Sequence, residues 1–455
     1  MAYAQAQIIT ENVKNLDSSG KQQLERLVHH MARVKIDPIK AQEFVDNLGK
    51  LTAILKPKDN DTVLRWINYT IDSPLFNSAN ISKLMDISNV VINWKTSEGK
   101  LPNARLYLED IGGLVVGLGS YNASFSKKVN LVNMAMSEEL RNLSASPKIA
   151  HFYGDVLYNV MKNQEFGNLF SRIIDPKMLE QAAALANDLL KTSHPGRTAN
   201  LSMVMSVGYG LLTIGEANVR KLHEQGGVIH FARYSPQLLK AALENLDTKP
   251  SSSKPVAVIS SSYYDWNGSF YQPIQNQGQI TRFYRVVLVE YESDTEAIQR
   301  YSNTASSKGQ IAALISYCHG TGGKMYSGHN YSIDPHQVLD SSDKNLLSSI
   351  GNCFSKQPPP TVILMSCHAG EGEDPIAKAM SAAWPSARVW SSTDELSHAS
   401  SLVLAPNGEI SSFIPRKGKG NPAILAVYEE DERRLLRPKL ASIIPKKIGQ
   451  GQKPG

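Results

Sequence analysis

The sequence predicts a mixed protein: an all-helical region followed by an α/β unit built on a mainly parallel sheet. Three observations carry this. Up to about residue 246, apolar residues recur at three- and four-residue spacing, and no strand-like alternation interrupts them. Residues 247–255, DTKPSSSKP, then read as a linker of Pro, Ser and Lys. Beyond it, short runs rich in β-branched residues alternate with helical segments, the pattern of parallel strands joined by crossover helices.

The first helix, GKQQLERLVHHMARVK, places Leu24, Leu27, Val28, Met31 and Val34 on one face. AQEFVDNLGKLTAIL, IAHFYGDVLYNVMKN, PKMLEQAAALANDLLKTS and SPQLLKAALENL follow the same rule, separated by Gly, Pro or Asn breaks. Two stretches, Glu109–Leu118 and Glu224–Leu246, each set a Gly-Gly pair before an apolar helix. The second resembles the hinge and last helix of an armadillo repeat. The resemblance implies an α-solenoid at 1–246 that binds a protein partner on a concave face, with an irregular bundle as the alternative.

The expected strands are 256–260, 285–291, 311–318, 361–367 and 387–392. They are short and apolar, as strands buried on both faces must be. SDTEAIQRYSNTASS, SDKNLLSSIGNCFSK and DPIAKAMSAAW supply helices between them. SHASSLVLAPNGEISSFI predicts a hairpin turning at Asn407-Gly408. Residues 256–430 thus form the α/β unit and 431–455 a basic tail.

Composition sets limits on function. Apolar content of 42% and charged content of 20% are ordinary for a globular protein. No apolar run approaches the length of a membrane span. The N-terminus lacks the basic and apolar regions of a secretory signal, so a cytoplasmic protein, or one exported by another route, is expected. The net charge of +6 is too diffuse to argue for nucleic-acid binding. Three cysteines, Cys318, Cys353 and Cys367, favour free thiols over a disulfide framework.

Two strand ends match each other. IAALISYCHGTGG ends at Cys318-His319-Gly320, and TVILMSCHAGEG ends at Cys367-His368. Ligands of parallel sheets sit outside the carboxyl ends of the strands. If these strands are neighbours, His319 and Cys367 reach one edge together, the minimum needed for covalent acyl transfer. The glycines are expected to let a substrate backbone approach. Zinc held by Cys318, His319, Cys367 and His368 is disfavoured, because successive strand residues point to opposite faces.

These motifs resemble the His-Gly and Cys motifs of clan CD cysteine peptidases, the caspase-like fold shared with legumain, clostripain and separase. The autoprocessing domains of large clostridial and multifunctional RTX toxins look nearest. They run from a strand ending in His-Gly to one ending in Cys, then to a polar-ended strand and a flap hairpin. The resemblance covers roughly 255–430. It implies a cysteine peptidase with His319 as acid–base, Cys367 as nucleophile and the N–H groups of Gly320 and Cys367 as oxyanion hole. It also implies an aspartate orienting the histidine, Asp265 first and Asp294 second. It implies a first subsite at Ser391–Glu395, where Ser392 and Asp394 would favour a basic P1 side chain. No cofactor is required for the chemistry. Inositol hexakisphosphate is implied as an activator, held by Arg416, Lys417 and Lys419. The toxins act inside host cells, which tilts the expectation toward an effector. Ser366 and His368 depart from the usual pattern around the cysteine. Two alternatives stand beside the peptidase: a Cys–His acyltransferase acting on a partner, and a catalytically silent helical scaffold.

Overall fold

The computed structural model describes residues 18–54, scattered positions from 67 to 92, and most of 164–248 and 253–436. The helices of the first half are α1 (Ser18–Arg33), α2 (Pro38–Ile54), α3 (Gln164–Ile173), α4 (Pro176–Ser193), α5 (Leu201–Ile214), α6 (Glu216–Gly226) and α7 (Pro236–Leu246). Their apolar stripes are buried, Leu24, Leu27, Val28 and Met31 among them. Asp175 caps α4 and Ser235 caps α7, each followed by proline at the first helical position. The expected helix at 149–163 and the Gly-Gly stretch at 109–118 lie outside the described residues.

The second half alternates as expected: β1 (Val256–Ser262), β2 (Arg285–Tyr291), α8 (Asp294–Lys308), β3 (Ile311–Tyr317), β4 (His319–Thr321), β5 (Lys324–Tyr326), β6 (Val338–Leu339), α9 (Lys344–Gly351), β7 (Thr361–Met365), α10 (Ile376–Ala383) and β8 (Arg388–Ser392). There follow β9 (Ser401–Leu404), β10 (Ile410–Ile414), β11 (Arg416–Lys417), β12 (Asn421–Pro422), β13 (Leu425–Glu429) and β14 (Glu432–Leu436). A seven-stranded sheet takes the order β2-β1-β3-β7-β8-β13-β14. Its first five strands are parallel, and β13 and β14 run antiparallel to their neighbours. The hairpin β9–β10 forms, with Gly408 at a positive φ of 88° in its loop.

Strand residues alternate between two cores. Val258, Val287, Val289, Leu314, Val362 and Leu364 pack with Ala297, Tyr301, Leu347, Ile350, Met380 and Trp384 of α8, α9 and α10. Ile259, Val286, Leu288, Ile315 and Ile363 pack with residues of the helical half. Connection geometry explains the division. The steps β2→β3, β3→β7 and β7→β8 all advance the same way across the sheet, and right-handed crossovers put their helices on one face. The step β1→β2 runs the other way, and among its described residues the connection carries 3-10 turns, at Ser269–Tyr271 and Gln277–Arg282. That face needs helices from elsewhere, and α6 and α7 cover it by packing on β2. The hydrophobic core therefore runs across the expected linker at 247–255.

Two features were not expected. The His-Gly loop continues into a small antiparallel sheet, β4-β5-β6. The expected tail from 431 begins inside the main sheet, as edge strand β14. Its sequence, ERRLL, hides strand character because charge is tolerated, and useful, on a sheet edge.

The seam between α6–α7 and the sheet is closely built. A Cβ on Gly226 would overlap the Leu288 carbonyl, and Gly227 ends α6 at a φ of 73°. Glu290, fully buried on β2, accepts the backbone N–H groups of Ile229 at 2.9 Å and His230 at 3.1 Å. It also accepts from His230 Nδ1 at 2.9 Å and Tyr234 Oη at 3.2 Å. Burial alone would push its carboxyl up. The hydrogen bonds from His230 and the Ile229 N–H, with the Arg233 charge, outweigh this and bring it down to about 2.

Two outcomes follow from the seam. Gly226→Ala should lose about 3 kcal/mol or more, read by chemical denaturation, because backbone rather than a flexible side chain must give way. Glu290 should contribute roughly 3 kcal/mol of stability above pH ~4.3, the ordinary Glu value, lost as pH falls toward its folded value. An acid titration followed by tryptophan fluorescence should show this loss in wild type, and Glu290→Gln should flatten it.

Candidate active site

Chemistry-bearing side chains gather at the carboxyl ends of four adjacent strands. Asp265 follows β1, His319 follows β3, Cys367 follows β7 and Asp394 follows β8, and those strands are neighbours in that order. Tyr317 pairs with Met365 at the end of β3 and β7, so His319 and Cys367 each lie two residues past the last paired partners. Gly320 closes the gap between the two chains. A Cβ there would overlap Ser366 Oγ and the Cys367 carbonyl oxygen.

His319 is fixed on two sides. Its Nε2 lies 3.2 Å from Asp265 Oδ1. A carboxylate only accepts, so Nε2 carries a proton and Nδ1 is the basic nitrogen of the neutral ring. The Phe270 ring stacks on the imidazole at 4.8 Å and 27°. Asp265 is buried and accepts the N–H groups of Ser269 at 3.1 Å and Phe270 at 2.8 Å. Burial pushes its carboxyl up, but the His319 bond and charge, the Arg233 charge and the Phe270 N–H together hold it below the usual range. Asp294, the second choice for this role, lies at the start of α8 and bonds the N–H of its neighbour Thr295.

Cys367 is half-buried, and its Sγ accepts the Leu396 N–H at 3.3 Å. Burial pushes its thiol up, the Leu396 N–H opposes this and the Glu395 charge adds to the rise. Its thiol is therefore shifted away from the thiolate in this conformation. His368 follows in the left-handed region with a φ of 57°. Its N–H bonds the Asp394 carbonyl, and its own carbonyl accepts from Gly323 and Glu371. His368 therefore shapes the turn. Gly370 serves packing rather than substrate approach, since a Cβ there would meet Ser391 Oγ and the Ala426 Cβ.

Asp394 is engaged within the chain. Its Oδ2 accepts the Ile424 N–H at 2.9 Å, and its Oδ1 lies 3.5 Å from Lys417 Nζ. Ser392 Oγ accepts the Asp394 N–H at 3.0 Å and so sets the start of this loop. The β11–β12 ribbon, which follows the β9–β10 hairpin expected as the flap, is stitched to the same loop: Ser397 N–H donates to the Arg416 carbonyl at 2.7 Å, and Arg416 N–H donates to Ser400 Oγ at 2.9 Å. Of the basic residues expected to hold a polyphosphate, Arg416 joins the β11–β12 ribbon to the loop and Lys417 faces Asp394. Lys419 lies outside the described residues.

The remaining cysteines are core residues. Cys318 is buried against Tyr291 Oη at 3.0 Å, and burial drives its thiol up to about 12. Cys353 is buried beside Ser302. Among the described residues, no group of three or more His, Cys, Asp or Glu side chains is arranged to hold a metal ion. Among them, too, no helix is long and apolar enough to cross a membrane. Phe270 and Leu396 were not anticipated. Phe270 carried one weak signal, its position five residues after the preferred aspartate; Leu396 acts through its backbone, which leaves no trace in residue type. Comparisons with family models, curated proteins and solved structures find no match to this chain.

Alkylation of Cys367 by iodoacetamide should be slow at neutral pH. Its rate should keep climbing past pH ~8.5, where half of an ordinary exposed thiol is already thiolate. Peptide mapping by mass spectrometry checks this, and Cys318 should stay unlabelled over the same range.

Proposed function

We propose that this chain is a cysteine peptidase of caspase-like fold, with Cys367 as nucleophile and His319, oriented by Asp265, as acid–base. The observation that carries the reading is the succession Asp265, His319, Cys367, Asp394 across four adjacent parallel strand ends. The order of a His-Gly strand, a Cys strand, a polar-ended strand and a flap hairpin is also that of the toxin autoprocessing domains which the sequence resembles.

In the reaction, His319 Nδ1 takes the Cys367 thiol proton, and the resulting thiolate sulfur forms a bond to the peptide carbonyl carbon. The charge that develops on the carbonyl oxygen is met by backbone N–H groups at Gly320 and Cys367. The carbon–nitrogen bond breaks as His319 gives a proton to the leaving amine. Water then adds its oxygen to the acyl carbon, His319 takes up the water's proton, and the sulfur leaves as thiolate. Loss of one oxyanion donor typically costs about 3 kcal/mol in the transition state.

Asp394 supports a preference for Lys or Arg at P1. Its carboxylate already holds one ammonium, that of Lys417, so this lysine stands where a substrate side chain would compete. Both partners are partly exposed, so the pair is worth about 1 kcal/mol at most.

The test is intact-mass labelling with peptidyl acyloxymethyl ketones bearing Lys, Arg or Leu at P1, with and without inositol hexakisphosphate. Basic probes should label Cys367 alone, and His319→Ala should abolish labelling. Lys417→Ala should speed labelling by basic probes up to about fivefold, and Asp394→Asn should remove the preference for them. Normal cleavage of a protein substrate by Cys367→Ala would falsify the reading. Mass gained by a partner, rather than its shortening, would point to acyl transfer.

A further inference from the structure

We infer that Arg233, contributed by the helical region ahead of the first strand, is a positioning residue for the Asp265–His319 pair, so that the catalytic site is built from both halves of the chain. The inference rests on the peptidase reading for its kinetic consequence, but not for its geometry.

Arg233 lies in the 3-10 turn Phe231–Arg233 between α6 and α7 and is 3% exposed. Its guanidinium grips the chain where β1 runs out toward Asp265. Nη1 donates to Ser261 Oγ at 2.8 Å and to the Ser262 carbonyl at 2.6 Å, and Nη2 donates to the Tyr263 carbonyl at 3.1 Å. A planar fork meets three acceptors on successive residues, and a lysine ammonium could not reproduce that geometry. The same guanidinium sits 5.4 Å from the centre of the Phe270 ring and 5.3 Å from that of Tyr271. Phe270 is the ring that stacks on His319, and its N–H bonds Asp265. Both surfaces that fix the imidazole, the carboxylate and the ring, are therefore tied to one buried cation.

The charge on Arg233 is maintained. Burial disfavours it, but Glu290, 3.9 Å away, with Tyr271, Asp265 and Tyr234, outweighs that penalty. His230, also facing Glu290, is pushed toward its neutral form by burial and by Arg233. The cluster thus holds two carboxylates, Glu290 and Asp265, around one arginine. A purely structural arginine would need only Glu290. The second carboxylate and the ring over His319 extend its influence into the site.

The experiment compares Arg233→Met, Arg233→Lys and Ser206→Ala in the full chain. Ser206 Oγ accepts the Ala232 N–H at 2.8 Å, so its loss weakens the same turn without touching Asp265 or Phe270. Two readouts are taken. The first is the slowly exchanging His319 Nε2–H proton resonance, which reports the bond to Asp265 and requires no turnover. The second is the pH profile of hydrolysis of a Lys-P1 peptide. Activity needs ionised Asp265, so the rate falls as pH drops through its pKa. Removing a neighbouring cation raises that pKa.

Arg233→Met should lose the resonance, lower kcat roughly a hundredfold with little change in KM, and move the acid limb up by about one pH unit. Arg233→Lys should restore the limb and only part of kcat. Ser206→Ala should lower Tm yet keep the resonance and the limb. Arg233→Met that keeps the resonance and the wild-type limb overturns the inference, as does a wild-type protein lacking the resonance. A wild type that shows the resonance but hydrolyses and labels nothing sinks the peptidase reading alone, and the resonance of Arg233→Met still decides the role of Arg233.

Discussion

A carboxylate with no exposure to water, Glu290, is the constraint on which the described structure turns. Leaving it uncompensated would cost several kcal/mol, so whatever lies opposite β2 must present donors and positive charge. The chain supplies them from residues 229–234, which fixes where α6 and α7 lie on the sheet. The same residues bring Arg233 to the end of β1, and from there the order passes to Asp265, Phe270 and His319. A polar interaction that looks like a feature of the seam thereby reaches the strand ends that carry Asp265 and His319.

The thiol shows a conflict between packing and reactivity. Half-burial under the 394–400 loop raises the energy of the thiolate, and one backbone N–H at 3.3 Å does not reverse it. A nearby imidazolium would favour the thiolate, as would opening of the loop to solvent. The β11–β12 ribbon is bonded to that loop through Ser397, Ser400 and the Asp394–Lys417 pair. Each link is modest, and all must yield if the loop is to shift.

Much of the sheet was legible from sequence because strands buried on both faces have no polar phase, and runs such as VVLVEY announce themselves. The strand ends carrying His319 and Cys367 were legible because chemistry interrupts an apolar run there. Less visible were elements whose character comes from their neighbours. The edge strand Glu432–Leu436 reads as a charged tail, and His319–Thr321 is too short to show a period. Arg233 and Glu290 were hidden most deeply. Each sits in an ordinary local context, and only the fold, bringing residues 57 apart in sequence to 3.9 Å, turns them into a pair. The armadillo-like Gly226-Gly227 was read as a hinge; its glycines are needed because the helix end meets the β2 backbone with no room for a side chain.

Topology gives the deeper reason why the helical half cannot be treated as an accessory. With three crossovers delivering helices to one face and, among the described residues, 3-10 turns reaching the other, the α/β unit leaves the Ile259, Val286 and Leu288 side of its sheet to be covered by α6 and α7. A sheet face stripped of that layer would expose apolar area and strand Glu290 without its donors, two penalties that add. The requirement that closes the core is therefore also the one that places Arg233.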